Sequence, residues 1–228
     1  MNIQDSTVLV TGANRGIGKA FAGALLDRGA AKVYAAVRDV TTITDRRLVP
    51  IQLDVTDADR VAAVARELDD VQVVVNNAGV LHVGVPLSAS LDAARVELET
   101  NYLSLVSITQ AFAPVLERNG GGAFINVLSV FSWVATPLLT TYSASKAAAW
   151  AFTNAARIEL RRQGTHVVGV HAAASTAFFH GFSAGCLLAA GVSGAAAIVT
   201  LRLLPAQPAA RTGATVPVEG SVALGEEA

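Results

Sequence analysis

The chain has 228 residues, of which 52% are hydrophobic, and a formal net charge of −1. That is enough apolar material for the core of one α/β domain, and it lacks the basic excess that a nucleic-acid partner requires. A single cysteine, Cys186, excludes an internal disulfide and any multi-cysteine metal centre, and no metal site is expected.

At the start, Asp5 and Ser6 stand directly before a short apolar run. A signal peptide shows a basic and then a long apolar stretch instead, so a cytoplasmic chain is expected. Apolar runs of strand length then alternate with longer segments of helical period through residue 170, the pattern of βαβ units around a parallel sheet. Strands are predicted near Thr7–Val10, Lys32–Val37, Ile51–Leu53, Val71–Val75, Ala123–Val127 and His166–Val170. Helices are predicted over Gly16–Arg28, Asp57–Leu68, Leu98–Glu117 and Tyr142–Gln163, with a shorter one near Leu91. Thr56 followed by Asp59 reads as a helix-capping pair, and Gly29, Pro50 and Gly120 to Gly122 mark breaks between elements.

Between the first strand and the first helix, Thr11 to Gly18 reads TGANRGIG. Glycines at 12, 16 and 18 let the backbone turn tightly, let a pyrophosphate approach, and let the helix sit close to the sheet. Free amides at the helix start favour the phosphate charge. The spacing is GxxxGxG, not the common GxGxxG, and a Gly-rich turn of this kind also occurs for packing alone. At the end of the second strand the run is Ala35-Ala36-Val37-Arg38-Asp39. Val37 stands where an NAD-binding protein carries a ribose-binding acid, whereas Arg38 can pair bidentately with a 2′-phosphate and Arg15 adds a second positive charge. NADP(H) is therefore expected over NAD(H). The other readings are that both arginines are solvated surface charge, or that Asp39 is the ribose acid.

Three further patches follow: NNAG at Asn76 to Gly79, Ser129 after a strand, and YSASK at Tyr142 to Lys146. Tyr and Lys four apart on a helix project from one face. With three tyrosines and three lysines in the chain, chance alone gives about 0.04 such pairs. Together these motifs resemble the short-chain dehydrogenase/reductase family over residues 6 to about 171.

The resemblance implies an α/β, doubly wound Rossmann fold with a central parallel sheet flanked by helices, in a single domain over residues 1–228. It implies hydride transfer between a nicotinamide and a carbonyl or secondary alcohol. The catalytic residues would be Ser129, Tyr142, Lys146 and Asn101. Tyr142 would be the general acid or base, with its pKa brought toward neutrality by Lys146, which also holds the nicotinamide ribose. Ser129 would donate to the substrate oxygen, and Asn101, in NYLS at the start of a helix, would link the lysine to a water chain. The cofactor residues would be Gly12, Asn14, Arg15, Gly16, Ile17, Gly18, Arg38, Asp54, Val55, Asn77, Ala78, Gly79, Tyr142, Lys146 and Thr176. Taken singly, Ser129 also reads as a strand-end hydrogen-bonder, Asn101 as a helix cap, Asp54 as a turn residue, and Tyr142 with Lys146 as a surface pair.

The last quarter departs from the family pattern. Alanines at 172 to 174 stand where the family carries Pro-Gly, and Thr176 comes one place early for the cofactor-contacting threonine. No Asp, Glu, Lys or Arg occurs between Arg162 and Arg202, so residues 172–204 form an atypical substrate-loop region, either a shortened loop or an altered segment. Gly181 to Leu201 is long enough to cross a bilayer, but its Gly and Ala content favours a buried helical region over membrane contact. Phe178, Phe179 and Phe182 would form an apolar pocket wall with Trp133, or core, and 212–224 resembles the family's closing strand. An apolar small-molecule carbonyl or alcohol is the expected partner, with a homodimer or homotetramer formed through the helices at 98–117 and 142–163. A dinucleotide-binding sensor of the same fold, with little turnover, is the competing function.

Overall fold

The structure is a computed structural model that describes residues 3–172. Expectations that fall on Thr176, on Phe178, Phe179 and Phe182, on 181–201 and on 212–224 lie outside the described residues, as does the later part of the expected 1–228 domain.

Six strands form one sheet: β1 (Thr7–Thr11), β2 (Lys32–Val37), β3 (Val49–Gln52), β4 (Val73–Asn76), β5 (Gly122–Ser129) and β6 (Thr165–Ala172). Every pairing is parallel, and the order is β3-β2-β1-β4-β5-β6. Five helices connect them: α1 (Gly16–Asp27), α2 (Ala58–Glu67), α3 (Leu91–Leu98), α4 (Ser104–Arg118) and α5 (Thr140–Glu159). This is the doubly wound Rossmann arrangement, in which strand order reverses between β1 and β4 and opens a crevice at the carboxyl ends of the strands.

Alternation along the central strands decides which helices cover which face. Val8 and Val10 of β1, with Val73 and Val75 of β4, pack into a core that includes Ala22 and Leu25 of α1. Leu9 and Val74, the intervening residues, enter a second core with Val61 and Val64 of α2 and Ile108, Phe112 and Leu116 of α4. A strand buried on both faces has no room for a polar alternate, and β1 reads TVLVT, buried throughout.

Several boundaries differ from expectation. The third strand begins at Val49 and includes Pro50, which was expected to mark a break before it; β3 is an edge strand, where a missing N–H is tolerated. Asp57, not Thr56, caps α2, its side chain accepting from Arg60 N–H, while Thr56 is drawn to Asp54. The helix predicted over Leu98–Glu117 is not separate from the one near Leu91. A π-helical turn at Glu99–Leu103 joins α3 to α4, so Asn101 lies inside a continuous helical run and not at a helix start. Among the described residues no helix is long and apolar enough to cross a membrane.

Candidate active site

A cleft of about 910 Å³ opens at the carboxyl ends of β1, β2 and β4. Gly12, Asn14, Arg15, Gly16 and Ile17 line it from the turn after β1; Arg38, Asp54 and Val55 line it from the ends of β2 and β3; Asn77, Ala78 and Gly79 line it from the turn after β4. Gly12 and Gly16 have φ of +65° and +53°, in the left-handed region that favours glycine. Gly18 does not line the cleft but sits behind it, where α1 meets the turn after β1. A methyl group there would run into the Gly12 carbonyl and the Asn77 amide, so only glycine lets α1 start this close to the strand. The first turn of α1 carries no acidic residue, and Arg15 at its start provides no side-chain cap. Its leading amides therefore meet no protein anion from the cap or the first turn, the condition under which a helix start accepts a phosphate.

Side chains stitch the two glycine-bearing turns together. The Thr11 hydroxyl accepts from the N–H groups of Asn77 and Ala78, both at 3.0 Å, and Asn77 Nδ2 donates to Thr11 O at 2.9 Å. Asp54 Oδ1 accepts from Thr56 N–H and Thr56 Oγ1. The Thr56 amide bond, together with the positive charge of Arg38, holds the Asp54 carboxyl below its ordinary pKa, against some desolvation. Oδ1 of Asp39 is likewise engaged by Thr41, in the turn that follows β2. Arg38 is exposed.

Ser129, Tyr142 and Lys146 converge beyond the β4 end of this cleft. Ser129 is the last residue of β5 and opens a capped 3-10 turn at Val130–Ser132. Its Oγ accepts from Phe131 N–H at 3.2 Å, and its hydroxyl bonds to the Tyr142 phenol. Tyr142 and Lys146 lie one turn apart on α5, with the ammonium 5.9 Å from the centre of the phenol ring. Phe131 packs edge-on against that ring at 6.4 Å. Lys146 is buried and its Nζ donates to Val127 O at 3.0 Å.

Burial dominates the electrostatics of this trio. It pushes the Tyr142 phenol above its ordinary pKa, a hydrogen bond from Ser129 opposes the rise, and the negative charge of Glu97 adds to it. Burial also brings Lys146 down to about 8. The expected lowering of the phenol by Lys146 is therefore not what this geometry produces, because desolvation opposes the charged form of both groups.

Asn101 faces inward, bonding Val80 N–H and Val80 O, both at 2.9 Å, and Ser145 Oγ at 2.9 Å. Ser145 in turn donates to Tyr142 O. Among the described residues, three participants were not anticipated from sequence: Thr11 as the stitch, Glu97 as a charge near the phenol, and His171. The His171 ring stacks on Trp133 with centroids 3.7 Å apart, meets Trp150 edge-on, and holds Nδ1 3.0 Å from Ser129 O. A carbonyl only accepts, so that contact puts the proton on Nδ1. The four-residue step from Glu97 to Asn101 could have signalled the second; nothing local signals the other two.

The short chain dehydrogenase family model matches residues 6–180. The chain belongs to the short-chain dehydrogenase/reductase family. Among solved structures of this family, the short chain dehydrogenase of Burkholderia cenocepacia in complex with NADP is 42% identical, with a TM-score of 0.72 over 75% of this chain and 73% of that one. Among curated relatives, estradiol 17-beta-dehydrogenase 2 of Rattus norvegicus is 32% identical over 74% of this chain and 48% of its own length. Dehydrogenase/reductase SDR family member 7B of Xenopus tropicalis is 28% identical over 69% and 57%. The chain thus spans about half the length of these two relatives.

Proposed function

We propose that the chain is an NADP(H)-dependent oxidoreductase that moves a hydride between nicotinamide and a carbonyl or secondary alcohol carbon. The observation that carries this reading is the convergence of Ser129, Tyr142 and Lys146 beside a cleft whose glycine turn has no space for a side chain at Gly18. A bound dinucleotide would supply the hydride, its pyrophosphate held by the turn Gly12 to Gly18 and the start of α1. Its adenine half would lie along Arg38, Asp54 and Val55, and its nicotinamide half along Asn77, Ala78 and Gly79, with Lys146 holding the ribose.

The catalytic side chains divide the work. Ser129, which bonds to Tyr142, would donate its proton to the substrate oxygen and stabilise the charge that grows there. Tyr142 donates its phenolic proton to the same oxygen as it becomes an alcohol, a contribution of about 10²- to 10⁴-fold in rate. A phenol whose pKa lies above the ordinary value holds its proton at neutral pH, the form that donates in the reductive direction. Lys146 stabilises the phenolate left behind, and Asn101 fixes the helix main chain on which Tyr142 sits.

Arg38 and Arg15, both on the cleft wall, support the choice of NADP(H) over NAD(H) through the 2′-phosphate. The rim near Ser129 and the loop after β4 expose Trp133, Val134, Leu138, Leu81 and Val83, which supports an apolar small-molecule carbonyl or alcohol as substrate. Family resemblance and the alanine-rich α5 support a homodimer or homotetramer formed through α4 and α5. NADPH oxidation over a panel of ketones and aldehydes of increasing apolar size tests the assignment. Turnover that rises with apolar bulk is the expected result. NADPH binding without oxidation by any carbonyl would favour a dinucleotide-binding sensor instead.

A further inference from the structure

Just past the NNAG turn, two side chains of one helical run grip the backbone of alternate residues. Asn101 holds both main-chain groups of Val80, and Glu97 Oε1 accepts from His82 N–H at 2.6 Å. Glu97 and Asn101 are four residues apart and so share a helix side. A helix thus supplies the hydrogen bonds that a neighbouring strand would give to the segment 80–82. That segment continues the cleft wall: Val80 and Gly79 both line it, and a methyl group at Gly79 would meet Asn101 Oδ1 and Lys146 Nζ.

Glu97 is 0% exposed, and its Oε2 has no hydrogen-bond partner among the described residues. The ring of His82 approaches Oε1 only to 3.6 Å. A carboxylate desolvated this far and bonded on one oxygen is a costly way to fill a core position, where an apolar side chain would pack without that cost. What it gains is a short bond, at 2.6 Å, to the main-chain amide of His82.

We propose that Glu97 is a positioning residue of the active site, which through His82 N–H holds segment 80–82 as the wall of the nicotinamide end of the cleft. Asn101 fixes the near end of that wall and Glu97 the far end. Without the second anchor, the main chain next to Lys146 and the nicotinamide ribose loses its register. This inference rests on the dinucleotide-dependent reading above.

The test compares Glu97→Ala, Glu97→Asp and Glu97→Gln in the full chain. NADPH affinity is read by fluorescence titration and thermal stability by calorimetry, with KM for NADPH and kcat measured on a carbonyl that the wild type reduces. Ala removes the acceptor and Asp withdraws it by one methylene, so both weaken NADPH binding about tenfold. Gln retains an acceptor oxygen at full reach and restores affinity to within about threefold of wild type. KM for NADPH follows the same order while kcat changes less. Wild-type affinity in either the Ala or the Asp variant overturns the proposal, as does a Gln variant as weak as Ala. Should Ala fail to fold, Asp against Gln decides. A wild type that binds NADPH but reduces nothing sinks the oxidoreductase reading and leaves the affinity comparison intact.

Discussion

Lys146 crosses from α5 to the main chain of β5, where its Nζ donates to the carbonyl oxygen of Val127 at 3.0 Å. One hydrogen bond does not compensate a buried ammonium, and its pKa falls to about 8 from the ordinary 10.5. The folded protein therefore sheds this proton before the unfolded chain does. The stabilising contribution is fully present above the unfolded value, and it is lost as pH falls through about 8. At neutral pH the charge is a cost to the cofactor-free fold, retained for what it does in the cleft. Lys146→Met should raise cofactor-free stability at neutral pH by on the order of 1–3 kcal/mol, a gain that shrinks toward pH ~10, while abolishing turnover. Thermal melts at the two pH values, with activity alongside, check both halves.

Tyr142→Phe removes one oxygen and keeps the ring that packs edge-on against Phe131. The fold and NADPH affinity should remain near wild type, while kcat for carbonyl reduction falls by about 10²- to 10⁴-fold. A fluorescence titration and a steady-state assay on the same preparation measure this. A variant that retains more than about a tenth of wild-type kcat would place the proton donor elsewhere.

Arg38 stands on the cleft wall near the negative charge of Asp54, which it helps keep ionised. Replacing it with Asp removes the guanidinium and adds a ribose-binding acid, so the ratio of kcat/KM for NADPH to that for NADH should fall by at least about tenfold. An unchanged ratio would remove Arg38 from cofactor selection.

Two glycines of α1 should respond in opposite ways to the same methyl group. At Gly18 the added carbon meets the Gly12 carbonyl, a backbone atom that cannot yield without opening the turn. Gly18→Ala should lose NADPH binding and at least about 2 kcal/mol of stability. At Gly23, in mid-helix, nothing lies within 4 Å of such a carbon, so Gly23→Ala should stabilise by about 0.5–1 kcal/mol with binding unchanged. Calorimetry of the pair, with NADPH titration, reads out both.

The parts of the fold legible in the sequence were those decided within a few residues of chain. TGANRGIG required a strand before it and a helix after it, and it has both. Tyr142 and Lys146 are one turn apart whatever surrounds the helix. The apolar run at Thr7–Val10 reads as a strand of a parallel sheet, and Val8, Leu9 and Val10 do enter cores on its two faces. Features that depend on distant neighbours were not legible. The sequence places Asn101 at a helix start, whereas in the structure it lies in a π turn and bonds Val80 and Ser145, both distant in sequence. His171 reaches Ser129 across paired strands, in a register that places Ser129 opposite Ala172 and that no local spacing announces. The phenol was expected to be lowered by Lys146, but burial of both groups, a property of the assembled core, reverses the direction.

The π turn at Glu99–Leu103 makes this helical run sensitive to chain length in a way no substitution reproduces. A π turn holds one residue more than an α turn, and each residue of an α-helix advances the azimuth by about 100°. Deleting a single residue there would allow a regular screw from Leu91 to Arg118 and better helical hydrogen bonding. It would also twist the half that carries Glu97 out of phase with the half that packs on β4 and β5. An intact helix would then coexist with a displaced main chain beside the nucleotide, so a loss of function from such a deletion would accompany no loss of helical content.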